Sequence, residues 1–219
     1  ASGAYHTRAA GPNGAKKRGW DFIKGSAFHW PKRIRNMKTD LLNDFSTLFA
    51  YCWYRDFPLD GYSRDWGSTS DWNIHTGLTV RRVADLMGYY THFESSGRTD
   101  AVIRDSNKAA VLFAEWEWKS PSPNRINEPK KLSDSALVER PQFCFLFSYM
   151  RIGTLEQQLT YIEQNWKADV PLLVTLIECE GMNDRFFKLM VTYRLDHGVW
   201  SQVREQQALS WEVTGTRWA

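Results

Sequence analysis

Apolar residues recur at helical spacing twice before residue 90 and at strand spacing repeatedly after it. From Ile34 to Tyr54, Leu41, Leu42, Phe45, Leu48, Phe49 and Cys52 follow i, i+3, i+4, i+7, which predicts an amphipathic helix that Pro58 and Gly61 bring to an end. A loop is expected over Gly61 to Ser70, then a second helix from Asp71, read as its N-cap, to Gly88. The period then changes to two. Tyr90 to Glu94, Thr99 to Arg104 and Val111 to Lys119 read as three strands separated by turn residues. A loop of Pro, Ser, Asn and Lys is expected over Ser120 to Ser133. Gln142 to Met150 alternates Phe143, Phe145, Phe147 and Tyr149 as a strand does, although a buried helix accepts the same run. Leu155 to Trp166, with Thr154 as cap, sets Leu155, Leu159, Ile162 and Trp166 along one helical stripe. Val170 to Cys179 is the continuous apolar run of a strand covered on both faces, and Phe186 to Leu195 with Val199 to Arg204 reads as a hairpin around Asp196-His197-Gly198. Together these elements predict an α/β sandwich, a central mixed sheet of about five strands with helices on both sides.

A chain of 219 residues, 42% hydrophobic, suffices for one well-buried core and not comfortably for two. One domain is expected over 34–219, preceded by a flexible leader over 1–33 that is rich in Gly, Ala and Lys. The chain has no apolar run of about 18 residues, and its first residues lack a signal-peptide core. A soluble, cytoplasmic protein with no membrane partner is therefore expected. Cys52, Cys144 and Cys179 fit neither a zinc spacing nor a disulfide framework and are read as buried thiols.

Charge is distributed unevenly. Residues 1–38 carry nine Lys and Arg against Asp21 alone, a balance of +8, so the remainder is 3 − 8 = −5. A basic arm ahead of a mildly acidic body suits a polyanion, because each cation placed near a phosphate releases a counterion; a solvated tail is the plainer alternative. Lys16, Lys17, Arg18, Lys32, Arg33 and Arg35, joined by Arg125, Lys130 and Lys131 of the 120–133 loop, are the nucleic-acid-binding candidates, with Trp66 and Trp72 as candidates for base stacking.

The chemistry is concentrated in Phe113-Ala-Glu-Trp-Glu-Trp-Lys119. Side chains alternate across a strand, so Glu115, Glu117 and Lys119 project from one face at intervals of roughly 6 to 7 Å. Charges on a strand buried on both sides are costly unless they are paired or hold a metal. Asp100, one strand upstream, shares that face if opposed residue numbers add to an odd total. A tight turn at Ser106-Asn107 gives 213 and sets Asp100 opposite Phe113; a wider loop over Asn107 to Ala110 gives 217 and sets it opposite Glu117. The wider loop, or a bulge of the same effect, is predicted. Two carboxylates so placed invite a hard cation such as Mg²⁺ or Mn²⁺.

The pattern Gly97-Arg-Thr-Asp100 followed by Glu115-Trp-Glu117-Trp-Lys119 resembles the PD-(D/E)XK nucleases, with Thr99 where proline is usual. The resemblance runs over roughly residues 71 to 180 and extends to Gln157 and Tyr161, whose Q-x-x-x-Y spacing on a helix resembles the exonuclease branches of that superfamily. It implies a restriction-endonuclease-like, three-layer fold and metal-dependent hydrolysis of phosphodiesters, most readily in DNA. Asp100, Glu117 and the backbone carbonyl of Trp118 are then the metal ligands, with Glu115 available for a second ion. Lys119 is the residue that orients or deprotonates water, and Gln157 and Tyr161 play supporting roles. The alternative is a catalytically silent nucleic-acid-binding module of the same fold. His75, His92, Asp85 and Glu94 are further residues that could approach the site, a lone histidine being more often structural.

Overall fold

In a computed structural model the described residues are 40–57, 68–95, 99–122, 127–181 and 186–218. Residues 39–219 form one compact unit, and every described residue belongs to it. The basic residues Lys16, Lys17, Arg18, Lys32, Arg33 and Arg35, with Trp66 and Arg125, lie outside the described residues.

Among the described residues, four α-helices and seven strands follow one another as α1 (Leu41–Arg55), α2 (Thr69–Leu86), β1 (Tyr90–Ser95), β2 (Thr99–Arg104), β3 (Ala110–Glu117), α3 (Glu128–Val138), β4 (Phe143–Arg151), α4 (Leu155–Asn165), β5 (Leu172–Glu180), β6 (Phe186–Asp196) and β7 (Val199–Gln207). The strands form one sheet in sequence order. The β3–β4 and β4–β5 pairs are parallel and the remainder antiparallel, so the sheet is mixed and holds seven strands rather than about five. The aromatic run at 143–150 is a buried strand at its centre.

Each parallel pair needs a crossover, and α3 and α4 supply them. Two crossovers of one hand stepping the same way across a sheet put both helices on the same face. Leu132 and Ala136 of α3 and Ile162 of α4 accordingly pack with Val102, Phe113, Cys144, Leu146 and Val174. The helices α1 and α2 cover the other face, where Phe45, Phe49, Trp53, Trp72 and Val80 meet Ala114, Phe145, Phe147 and Ile177. Gly77 lets α2 lie close to the sheet, since a Cβ there would stand 3.1 Å from the Trp116 ring. Among the described residues, no helix is long and apolar enough to cross a membrane.

Three local expectations are corrected. Ser68, not Asp71, caps α2: the Ser68 hydroxyl accepts from the Asp71 N–H while the Asp71 carboxylate accepts the Ser68 N–H at 2.7 Å, a reciprocal pair that satisfies two end donors. Thr154 stands at the N-cap of α4, but its hydroxyl donates to the Arg151 carbonyl instead of capping. The segment expected as loop to residue 133 enters a helix at Glu128. Asn127 accepts the Lys130 N–H at 3.0 Å and Pro129 occupies the first turn, where its missing N–H does no harm.

Candidate active site

The β2–β3 connection decides which carboxylates meet. Asp105 closes it by accepting the N–H groups of Asn107 and Ala109, both at 2.9 Å, and Lys108 takes a positive φ of 66°. The ladder shifts between Ile103 and Arg104; beyond that bulge Ala101 pairs with Ala114 and Val102 with Phe113. Opposed numbers therefore add to 215, between the two totals considered from sequence, and Asp100 falls opposite Glu115 rather than Glu117. The Trp116 N–H donates to Asp100 Oδ2 at 2.8 Å and fixes its carboxylate beside that residue.

Glu115 has no solvent exposure. Lys131, reaching in from α3, places Nζ 2.8 Å from Glu115 Oε2 and 3.5 Å from Glu128 Oε2. The Oε1 of Glu115 and Oε2 of Glu128 are buried without a hydrogen-bond partner. A third of the Lys131 side chain remains exposed, so this group of four opens to solvent on the α3 side. Burial pushes the Glu115 carboxyl well above the usual glutamate range; the Glu128 carboxyl and the Asp100 charge add to that, and Lys131 pulls against it. Asp100 is raised chiefly by burial, offset by the Trp116 N–H and by Lys131. Two further ties seat α3 over this part of the sheet. Thr99 Oγ1 donates to Ser135 Oγ at 3.3 Å, and Arg104 forms a two-pronged ion pair with Glu139 just past the end of α3.

The other residues singled out from sequence are distributed around this centre. Glu117 is two places further along the Glu115 face, and its carboxylate accepts the Lys119 N–H at 3.2 Å. Lys119 lies beyond the end of β3 with an exposed side chain, its carbonyl taking the Ser148 hydroxyl at 2.9 Å. Trp118 turns its ring to the opposite face of the sheet, 4.7 Å from the Tyr149 ring. On α4 it is Gln158 that is buried, while Gln157 is exposed; Gln158 Oε1 and the Tyr161 hydroxyl are both buried without partners. Lys130 points outward and pairs with Asp134, whereas Lys131, expected on a loop facing nucleic acid, is turned inward to Glu115.

The outlying candidates stay apart from this group. Trp72 and His75 sit in the aromatic core under α1 and α2, the His75 ring 4.4 Å from that of Trp53, which rules Trp72 out as an exposed stacking surface. Burial pulls His75 down from 6.5 to about 4, so it is neutral at pH 7. Asp85 is exposed beside Arg81, and His92 and Glu94 are exposed on edge strand β1. Sequence reasoning passed over Glu128 altogether. Its signal was present in Asn127-Glu-Pro-Lys-Lys131, an N-cap, acid and proline in the order of a helix start.

Neither the protein-family models nor the curated proteins compared with this chain match it.

The donor set suits a hard divalent cation. Its side-chain donors are carboxylate oxygens, and Glu115 Oε1 among them is buried without a hydrogen-bond partner. Among the described residues no three His, Cys, Asp or Glu side chains are grouped as a ready-made metal cage. An ion held by Asp100 and Glu115 would complete its shell with backbone carbonyls, water or a phosphate, as small oxygen-seeking cations commonly do.

Proposed function

We propose that the chain is a divalent-metal-dependent nuclease with a restriction-endonuclease-like fold, hydrolysing phosphodiester bonds of DNA. The observation that carries this reading is the opposition of Asp100 and Glu115 on adjacent strands, with a lysine ammonium 2.8 Å from the buried glutamate. The order helix, three strands, helix, strand, helix, strand supports it. The chain departs from the PD-(D/E)XK pattern at three points: Thr99 stands where proline is usual, Glu117 stands where the lysine of an acidic-x-lysine triplet would follow Glu115, and the ammonium beside Glu115 comes from Lys131 of α3 instead.

In this reading Asp100 and Glu115 hold Mg²⁺ or Mn²⁺, and Trp116 keeps Asp100 in place through its backbone N–H. Such an ion supplies a Lewis acid and an acidified water next to the phosphate. Lys131 provides positive charge where negative charge builds on the phosphoryl oxygens. Glu117, at the end of the same face, accepts protons or hydrogen bonds from the incoming water.

A second reading keeps the fold and drops the chemistry. Glu115 is wholly buried and already paired with Lys131, as in a structural ion pair of a catalytically silent nucleic-acid-binding module. Incubation with linear and circular DNA in Mg²⁺, Mn²⁺ or EDTA separates the two. Cleavage that requires the ion and is lost in both Asp100→Asn and Glu115→Gln supports the nuclease, and cutting of circles makes it an endonuclease. DNA binding without cleavage under every ion condition supports the silent module.

A further inference from the structure

Lys131 occupies an unusual position for a basic residue on a helix that faces solvent. Its ammonium is drawn inward between Glu115 and Glu128, where three carboxyl groups, those of Asp100, Glu115 and Glu128, surround a single positive charge. Each of the two glutamates nevertheless keeps one buried oxygen without a hydrogen-bond partner. The Glu128 oxygen still has the ammonium at 3.5 Å, whereas Glu115 Oε1 is wholly buried with no hydrogen bond, and such an oxygen points to a further ligand.

We propose that Lys131 is the resident cation of the ion-free protein, and that it gives up its place between Glu115 and Glu128 when a divalent cation binds, swinging outward along the α3 face to meet the substrate phosphate. The proposal rests on the nuclease reading and adds a movement to it. An ion held by Asp100 and Glu115 would share the Glu115 carboxylate with the ammonium, and two cations cannot do so at contact distance without strong repulsion. The ammonium has a way out: a third of its side chain is exposed, four methylene groups give it reach, and it is held by ion pairs to Glu115 and Glu128. The neighbouring Lys130 and Asp134 are paired with each other on the outer face and do not compete for it. Lys131 thus acts twice, first as a counter-ion that keeps the empty site folded and then as a phosphate ligand that becomes available only once the site is loaded.

The test is chemical labelling of the full chain. Reductive methylation followed by peptide mass spectrometry gives the reactivity of Lys131 with and without Mg²⁺, while calorimetry gives Mg²⁺ and Mn²⁺ affinity. The expected result is a several-fold rise in Lys131 labelling on ion addition, absent in Glu115→Gln, with Lys130 labelling unchanged. Lys131→Met should bind Mn²⁺ at least about tenfold more tightly than wild type, a gain of about 1.4 kcal/mol, while Lys131→Arg stays near wild type. Ion binding by the wild type with Lys131 labelling unchanged or slowed overturns the displacement and leaves the metal site standing. Failure of both wild type and Lys131→Met to bind either ion overturns the displacement and the nuclease reading together.

Discussion

Glu115 differs from its neighbours by its surroundings more than by its chemistry. Glu115→Gln is expected to lower ion-dependent cleavage by at least about a hundredfold, whereas Lys119→Ala, on an exposed side chain beyond the strand, should stay within a few-fold in the same assay. The buried carboxyl also leaves a signature in stability. Because Glu115 and Asp100 titrate above their ordinary values, the folded state keeps protons that the unfolded chain gives up. Stability in EDTA should therefore be fullest below the ordinary glutamate value of 4.5 and decline as pH rises above it, with a shallower decline in Glu115→Gln. His75 has the opposite sign. Its pKa is lowered from 6.5 to about 4, so its contribution is whole above 6.5 and lost as pH falls through about 4, amounting to roughly 3 kcal/mol. Urea unfolding of His75→Phe against wild type, from pH 4 to 8, should show the wild type losing stability relative to the variant on the acid side; parallel curves would remove the buried neutral imidazole from the account.

At the scale of elements, α3 brings Glu128 and Lys131 to the site, and a hydroxyl helps to seat it. Ser133 Oγ accepts the N–H of Lys167 at 2.8 Å and that of Ala168 at 3.1 Å, joining α3 to the connection between α4 and β5. Ser133→Ala leaves both donors without that partner, the Ala168 N–H in a buried place, and should cost about 1–3 kcal/mol in denaturant unfolding. The bulge between Ile103 and Arg104 is the other deciding element. A one-step change in pairing carries Asp100 to the wrong face, and a two-step change carries it to Glu117 or Phe113.

The whole molecule joins an acidic body to a strongly basic first stretch, +8 over residues 1–38 against −5 for the rest. If that stretch lies along phosphates, replacing Lys16, Lys17 and Arg18 together by alanine in the full chain should make the slope of log affinity for duplex DNA against log salt shallower by up to about 2.7. An unchanged slope would assign those residues to a solvated tail.

Periodicity made most of the elements legible, because a helix or strand with one buried face must repeat its apolar residues at 3.6 or 2. The two-faced burial of the central strands could be read from unbroken apolar runs such as Val170 to Cys179. The strand of Asp100 and the charged end of β3 were legible as well, since charges at alternate positions in such a strand demand an explanation. Helix α3 was legible only in its start signal over 127–131 and not in its periodicity, because it buries only a short stripe around Leu132 and Ala136. Nor could sequence choose among Glu115, Glu117 and Lys119, which share one face and differ only in how far along it they stand. Composition and local pattern fixed which residues were available for chemistry. The bulge, the crossover that lays α3 over β2 and β3, and the inward turn of Lys131 decided which of them meet, because register and long-range packing depend on contacts between segments that no local pattern records.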